Sequence, residues 1–204
     1  MKLLNADFVT SAARADGIPR DEVPRIALAG RSNVGKSSLI NALCRSTIAR
    51  TSAAPGKTRL LNFYRITMEG GPGGPGRWAV YLVDLPGYGY ARGGDDAAAE
   101  LGGIADEYYE DTALREVSAT LLLVDSRHPG LESDAAAAGW LNRLGVTYRV
   151  VATKIDKLAR SERAKNLKTL ETTFGTAALP VSATSGEGMD ELWRTIARLA
   201  RNAA

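Results

Sequence analysis

Gly30-Arg31-Ser32-Asn33-Val34-Gly35-Lys36-Ser37 is the stretch of sequence that decides the fold. It has the pattern G-x-x-x-x-G-K-S, which is typical of phosphate-binding loops. Its glycines allow backbone conformations that a β-carbon would block, so that successive amide groups can point into one concavity and hold an anion. The ammonium group of Lys36 can reach the outer phosphates of a nucleotide, and the hydroxyl of Ser37 can ligate Mg²⁺. The stretch therefore predicts a site for a nucleotide and Mg²⁺.

The segments on either side of this loop support the same interpretation. Residues 23–29 are mostly apolar and predict a buried strand that leads into the loop, and residues 38–44 predict the helix that leaves it. The N-terminal dipole of such a helix favours bound phosphate, so Ser38 joins the candidate binding residues. The alternative is a chance glycine-rich turn before a helix, and the flanking strand and helix argue against it.

The composition is that of an ordinary globular domain. The chain has 204 residues, of which 45% are hydrophobic and 24% charged, and its formal net charge is +3. This mildly basic balance allows a nucleic-acid partner but does not require one. The single cysteine, Cys44, cannot form an internal disulfide, and the sequence shows neither a signal peptide nor an apolar run of membrane-spanning length. We therefore expect a cytoplasmic protein with no membrane partner.

Strand and helix patterns alternate along most of the chain. Strands are predicted at 23–29, 58–67, 78–83, 119–125, 146–152 and 178–182, and helices at 38–44, near 104–109, and at 133–144, 158–173 and 188–204. This alternation predicts an α/β fold with a mainly parallel six-stranded sheet, one antiparallel strand, and helices on both faces. Residues 1–22 are predicted to be an N-terminal extension with a candidate strand at 6–12, and residues 23–204 the main domain. Ligands of such sheets lie at the carboxyl ends of the strands.

A second motif, Asp84-Leu85-Pro86-Gly87, follows the predicted strand at 78–83. A carboxylate at this strand end can hold Mg²⁺ beside the phosphate-binding loop, usually through water. The Gly87 amide can donate to a γ-phosphate, and the absence of a side chain lets the backbone come close. The alternative is an aspartate that merely ends a strand in a turn, and the spacing behind a phosphate-binding loop argues against it.

A third motif, Thr153-Lys154-Ile155-Asp156, follows the predicted strand at 146–152. The Asp156 carboxylate can accept hydrogen bonds from the N1–H and the exocyclic amine of guanine, and adenine would leave it unpaired. The aliphatic stem of Lys154 can cover the base. The alternative is a solvated Lys/Asp pair in which Asp156 caps the next helix. The order of the three motifs favours guanine recognition.

Two weaker segments complete the predicted site. In Ser182-Ala183-Thr184 a backbone amide, with that of Ala183 as the candidate, can donate to guanine O6; a turn that leads into a helix explains these residues equally well. In Pro55-Gly56-Lys57-Thr58 the Thr58 hydroxyl can complete the Mg²⁺ shell, and its amide can sense the γ-phosphate. The assignment of Thr58 depends on its position alone.

Together these motifs resemble the TrmE-Era-EngA-EngB-septin-like P-loop GTPases, and more narrowly the EngB family (also called YihA or YsxC) of bacterial ribosome-assembly GTPases. The resemblance covers residues 8–199, and the segments that carry it are 8–11, 29–41, 55–58, 84–91, 124–128 and 153–158. The most specific of these is the Y-G-Y-A sequence that follows Gly87.

The resemblance implies that residues 23–204 form a Ras-like G domain that binds GTP and GDP with Mg²⁺ and slowly hydrolyses GTP. It also implies a switch needed for assembly of the large (50S) ribosomal subunit, and so for cell growth, septation and division. The implied partner is the large subunit or its precursor, bound by a monomer. The implied catalytic residues are Lys36, Asn33, Thr58 and Gly87, and the implied Mg²⁺ ligands are Ser37, Thr58 and Asp84.

The sequence departs from the Ras-like pattern at one position. Ras-like enzymes place a glutamine directly after the D-x-x-G glycine to orient the attacking water, and this chain has Tyr88 there. We therefore expect slow intrinsic hydrolysis, or help from another group. Related GTPases with G-x-x-N-x-G-K-S use the asparagine to hold K⁺, so Asn33 makes K⁺ a candidate cofactor. The alternative, that Asn33 only tolerates a tight turn, stays open.

Two predicted helices carry clusters of basic side chains: Arg160, Arg163, Lys165, Lys168, Arg194, Arg198 and Arg201. They form either solvated surfaces or a patch that contacts rRNA phosphates. Two other functions also stay open, a GTPase of tRNA modification and a nucleotide-gated RNA- or ribosome-binding module with negligible hydrolysis. The Thr153–Asp156 motif argues against an ATPase or a kinase.

Overall fold

The computed structural model of the protein describes residues 1–50, 60–71, 74–88, 104–110 and 118–202. The strands are β1 (Lys2–Ala12), β2 (Arg25–Gly30), β3 (Leu61–Glu69), β4 (Arg77–Asp84), β5 (Ser118–Asp125), β6 (Tyr148–Thr153) and β7 (Leu179–Pro180). The α-helices are α1 (Lys36–Cys44), α2 (Ile104–Glu110), α3 (Glu132–Arg143), α4 (Arg160–Phe174) and α5 (Met189–Asn202). No helix in these described ranges is long and apolar enough to cross a membrane.

The strands form one sheet in the order β1-β3-β4-β2-β5-β6-β7. β3 is antiparallel to both of its neighbours, whereas every pairing from β4 to β7 is parallel, so β3 alone runs against the other strands. The predicted α/β fold, with a mainly parallel sheet and one antiparallel strand, is confirmed. The predicted number of six strands is wrong, because β1 from the N-terminal segment is a seventh member of the sheet.

β1 begins four residues before the predicted strand at 6–12. It pairs with β3 along its length, from Lys2 opposite Glu69 to Ala12 opposite Leu61, with two irregularities of register. Most of its side chains are exposed or only partly buried. The strict apolar/polar alternation that identifies a half-buried strand is therefore weak here, which explains why the sequence did not reveal its start.

The junction between residues 1–22 and the rest of the chain is packed. Arg25, the first residue of β2, is only 1% exposed. Its guanidinium Nη2 donates to the carbonyl oxygens of Pro19, at 2.6 Å, and Asp21, at 2.8 Å. The segment before β2 is thus held against the sheet by a buried cation. The boundary at residue 22 stays a prediction.

The central strands are buried on both faces. All six residues of β2 are buried. Ala27 and Ala29 lie in an apolar cluster with side chains of α2, α3 and α4, whereas Ile26 and Leu28 lie in a second cluster with side chains of α1 and α5. This arrangement is the one expected of parallel strands covered by helices on both sides.

The carboxyl ends of the central strands place the motifs beside one another. β2, β4, β5 and β6 run parallel and end at Gly30, Asp84, Asp125 and Thr153. Because these ends share one edge of the sheet, the three motifs converge there.

Candidate functional site

The phosphate-binding loop connects the end of β2 to the first turn of α1. Gly35 precedes α1 with φ 110°, and Asn33 adopts a left-handed conformation with φ 61°. Asparagine is one of the few residues besides glycine that enter this region readily. The amide of Leu39 donates to the carbonyl of Gly35 at 2.8 Å, so the helix begins directly at the loop. Free amides at the start of such a helix form an anion site.

Gly30 ends β2 at a point where no side chain fits. A β-carbon there would lie 2.8 Å from Val34 Cγ1 and 2.9 Å from the carbonyl oxygen of Leu123. The Val34 side chain is itself buried in the core, with 2% exposure. Val34 therefore anchors the loop in the core. Ser38, in the first turn of α1, is exposed.

Lys36 and Asp84 bring opposite charges into a buried region. The Lys36 ammonium donates to the carbonyl oxygen of Gly30 at 3.0 Å. Burial lowers the pKa of Lys36, and the charge of Asp84 opposes this effect. Burial also raises the pKa of Asp84, against the charge of Lys36 and a hydrogen bond from Ser37. Each group thus stabilises the charged form of the other.

Asp84 fits the predicted Mg²⁺ site. The residue is 7% exposed, and its Oδ2 accepts a hydrogen bond of 3.4 Å from Ser37 Oγ. Its Oδ1 is buried and has no hydrogen-bond partner among the described residues. A buried carboxylate oxygen without a partner is destabilising unless a cation or water satisfies it, and Mg²⁺ prefers oxygen ligands of this kind. The third predicted ligand, Thr58, lies outside the described residues, as do Pro55, Gly56 and Lys57.

Gly87 lies directly against the phosphate-binding loop. A β-carbon on Gly87 would be 3.0 Å from Lys36 Nζ and 3.0 Å from the backbone nitrogen of Ser32, so any side chain would force a shift. Between the two ends of the motif, Leu85 is buried in the core and Pro86 is half-buried. The structure therefore places Asp84 and Gly87 at the loop, while Leu85 anchors the segment.

Tyr88 occupies the position of the glutamine in Ras-like enzymes. Its side chain is fully buried, and its hydroxyl donates to Asp134 Oδ1 at 3.0 Å. A ring held in this way is not available to orient a water at the phosphates. This placement supports the expectation of slow intrinsic hydrolysis.

Two side chains of the Thr153–Asp156 motif bind the phosphate-binding loop. Thr153 Oγ1 lies 2.8 Å from the carbonyl oxygen of Val34. Lys154 has a left-handed backbone with φ 59°, and its ammonium donates to the carbonyl of Asn33 and, at 2.9 Å, to Asp125 Oδ2. The candidate base site and the candidate phosphate site are thus joined by direct hydrogen bonds.

Asp125 is a residue of this site that sequence reasoning missed. It accepts hydrogen bonds from Arg127 Nε at 2.9 Å and from Arg127 Nη2 at 2.7 Å, besides the one from Lys154. Burial alone would raise the pKa of Asp125, but the hydrogen bonds from Arg127 and Lys154 outweigh burial and lower the pKa to about 2. The ionised carboxylate holds Lys154 in place. Like Asp84, Asp125 ends a strand at the ligand edge of the sheet, and this was the signal that could have revealed it.

Asp156 meets the Ser182–Thr184 segment. Ser182 is fully buried, its hydroxyl donates to Asp156 Oδ1 at 2.7 Å, and it accepts from the amides of Thr184 at 3.2 Å and Ser185 at 3.0 Å. The hydrogen bond from Ser182 lowers the pKa of Asp156, so the carboxylate is ionised at neutral pH. The other carboxylate oxygen of Asp156, Oδ2, lies 3.5 Å from Lys157 Nζ and can accept a hydrogen bond from a nucleotide base.

The backbone amide of Ala183 lies in the same turn. It makes no hydrogen bond to the other described residues, whereas the amides of Thr184 and Ser185 are both taken by Ser182. The predicted donor to guanine O6 is therefore the amide of this turn that has no acceptor in the described chain.

Several residues of the predicted basic patch are engaged in ion pairs. The pairs are Arg163–Glu187 at 2.6 Å, Lys168–Glu171 at 3.1 Å, Arg194–Glu191 at 3.2 Å and Arg198–Glu191 at 2.5 Å. These contacts favour the solvated-surface interpretation for the four basic side chains. An rRNA-binding role for the two helices stays a prediction.

Comparisons with a family model and with known relatives agree on one protein family. A family model described as a 50S ribosome-binding GTPase matches residues 25–154. The relative from Heliobacterium modesticaldum, called probable GTP-binding protein EngB, is 41% identical over 197 residues, covering 94% of this chain and 90% of the relative. The relative of the same name from Solibacter usitatus is 42% identical over 197 residues, covering 96% of each chain.

Solved structures share the fold. A crystal structure of a probable GTP-binding protein EngB has a TM-score of 0.56 and 22% identity, and the match covers 87% of this chain and 98% of that one. An Aquifex aeolicus Era variant bound to GDP and aluminium fluoride has a TM-score of 0.66 and 21% identity, and the match covers 86% of this chain and 56% of that one.

Proposed function

From the premise that this chain belongs to the EngB family of GTP-binding proteins, which are GTPases, we propose that it is a GTP-controlled switch in assembly of the large (50S) ribosomal subunit. Its partner is the large subunit or a precursor particle, and it acts as a cytoplasmic monomer. Through ribosome supply it supports cell growth, septation and division. The description of the matched family model supports this choice of partner.

The observation that carries the proposal is the direct contact between the phosphate-binding loop and the base-selecting segment. The loop amides and Lys36 bind the phosphates, and Asp156 accepts from the N1–H and the amine of guanine. Ser37 and Asp84 would hold Mg²⁺, which supplies positive charge to the phosphate oxygens when bound. Thr58 stays the proposed sensor of the γ-phosphate.

The GTP form is the form that binds the ribosomal particle. We expect the protein to sediment with large subunits when a non-hydrolysable GTP analogue is present, and to stay in the supernatant with GDP or without nucleotide. Small subunits serve as the control particle, and a salt titration reports how many phosphate contacts the complex makes. Equal sedimentation in all three nucleotide states would contradict the proposed switch.

We also propose that K⁺ bound by Asn33 compensates for the missing glutamine. Tyr88 is held in the core, and a cation at the loop would add positive charge at the phosphates to that of Lys36 and Mg²⁺. The Asn33 side chain is exposed at the loop, where its carboxamide oxygen can bind an ion. The left-handed backbone of Asn33 agrees equally with the alternative that it only tolerates the turn.

The variant Asn33→Gly separates these two explanations, because glycine keeps the left-handed backbone and removes only the carboxamide. We expect wild-type GTP turnover to be roughly tenfold faster in KCl than in NaCl at equal ionic strength, and the variant to lose this difference while it still binds GDP. Steady-state phosphate release in the two salts is the measurement. A variant that keeps the K⁺ effect, or a wild type without it, would rule out the K⁺ site.

A further inference from the structure

Arg127 holds the Asp125 carboxylate by both of its oxygens. The guanidinium donates from Nε to Oδ1 at 2.9 Å and from Nη2 to Oδ2 at 2.7 Å, and the backbone amide of Arg127 also donates to Oδ1 at 3.1 Å. Two parallel hydrogen bonds from a guanidinium fix the plane of a carboxylate as well as its position. Arg127 therefore sets the direction in which Asp125 Oδ2 faces Lys154.

The Lys154 ammonium is shared between two acceptors. It donates to Asp125 Oδ2 at 2.9 Å and to the carbonyl of Asn33 in the phosphate-binding loop. The parallel pairing of β5 with β6 sets Asp125 opposite Thr153, the residue directly before Lys154, so the carboxylate lies within reach. Only 27% of the Lys154 side chain is exposed. The stem of this lysine is thus fixed along the site before any nucleotide arrives.

The Arg127 charge lies within electrostatic range of the base-selecting carboxylate. Hydrogen bonds to Asp125 raise the pKa of Arg127, and the charge of Asp156 adds to this effect. The Arg127 side chain is 41% exposed, whereas that of Asp125 is 10% exposed. Arg127 is therefore an accessible residue at the base end of the site that shields a half-buried contact behind it.

A fixed lysine stem favours retention of a stacked base. Immobilising a lysine side chain costs up to about 2 kcal/mol of rotamer entropy. Because Asp125 and Asn33 already immobilise Lys154 in the folded chain, a base that packs against its stem does not have to order it. Order that exists before binding raises affinity, and differences in affinity of this kind are found mostly in the rate of dissociation.

We propose that Arg127 and Asp125 are positioning residues for guanine, which fix Lys154 over the base and thereby slow the release of guanine nucleotides. Arg127 orients the carboxylate, and the carboxylate fixes the lysine. Both residues act through Lys154 and not by contact with the base. The inference needs only the binding of guanine nucleotides, and it is independent of the ribosomal partner.

The variants Asp125→Asn and Arg127→Ala test the two steps of this proposal. The measurement is the dissociation rate of fluorescent GDP during displacement by excess unlabelled GDP. We expect Asp125→Asn to release GDP about tenfold faster, because the carboxamide has only one oxygen for the two cations and one charge-assisted hydrogen bond is lost. Arg127→Ala should release GDP about fivefold faster, since Asp125 keeps Lys154 but loses its fixed orientation.

Dependence on Lys154 distinguishes positioning from a merely structural role. Lys154→Met keeps an unbranched apolar stem and removes the ammonium. Adding Asp125→Asn to Lys154→Met should change the rate by less than twofold, because the contact that both changes affect is already gone. If Asp125 only stabilised the turn after β5, its tenfold effect would persist in the double variant, and that result would overturn the proposal.

Arg143→Ala is the matched control for the loss of a positive charge. Arg143 is exposed in the last turn of α3, and its variant should release GDP at the wild-type rate. Should Asp125→Asn fail to fold, Arg127→Ala still decides the question, because its side chain lies at the surface and its removal leaves the core intact. A rate within twofold of wild type in either folded variant would likewise overturn the proposal.

Discussion

The variant Asp156→Asn is expected to lose at least about a hundredfold in affinity for GDP, the largest effect on base selection that we predict. The carboxylate would accept two hydrogen bonds from guanine, and each such bond to a charged group contributes about 1.5–3 kcal/mol. A carboxamide presents one donor where guanine also presents a donor. Xanthine has an oxygen at that position, so the variant should bind xanthosine diphosphate better than wild type does.

Fluorescence titration with GDP, xanthosine diphosphate and ADP measures this change of preference. Ser182 can still donate to the carboxamide oxygen, so the turn around residue 182 keeps its hydrogen bond and the fold should be retained. Asp190→Asn removes the same charge from an exposed site on α5 and should leave all three affinities unchanged. If Asp156→Asn kept the wild-type preference for guanine, then Asp156 would not be the residue that selects the base.

The second large effect is expected for Lys36→Ala. The ammonium is buried beside Asp84 and the D-x-x-G glycine, where it can neutralise charge on the outer phosphates in a region of low dielectric constant. Its loss should lower turnover by roughly 10²–10³-fold, as for other preorganised donors, and should weaken nucleotide binding as well. The pKa of Asp84 should rise further, because the positive charge of Lys36 now opposes the effect of burial on this carboxyl.

Single-turnover GTP hydrolysis and GDP titration measure these losses. Lys168→Ala removes a lysine of α4 that is 76% exposed and paired with Glu171, so it controls for the change in net charge and should behave as wild type. Turnover and GDP affinity that both stay within a few-fold of wild type in Lys36→Ala would show that neither hydrolysis nor phosphate binding depends on the lysine.

Patterns within single segments of the sequence predicted most of the strands and helices. They could not predict contacts between residues that lie far apart in the sequence. The strand at 23–29, the loop and the helix at 38–44 could be located because glycine spacing and apolar runs are visible in a single segment. β1 could not be delimited, because its side chains are largely exposed and its partner, β3, lies some fifty residues further along. Order of the strands within the sheet is likewise a long-range property.

The same distinction holds for the candidate site. The three motifs identified the strand ends that converge, and the role of Asp84 followed from chemistry and position. The hydrogen bond between Tyr88 and Asp134 joins residues 46 positions apart, and no short pattern marks Asp134 as anything but part of an ordinary helix start. Asp125 was visible as a strand-terminal carboxylate, but its contact with Lys154 depends on the left-handed backbone of that lysine.

The position of β1 has a consequence for synthesis of the chain. Its residues are made before their hydrogen-bonding partners at 61–69, so the strand has nothing to pair with until the roughly fifty residues between the two strands have also been made. Closing a loop of this length carries an entropic cost that only the assembled sheet can offset. The outermost strand is therefore translated before the strand that it pairs with, and it must wait to fold.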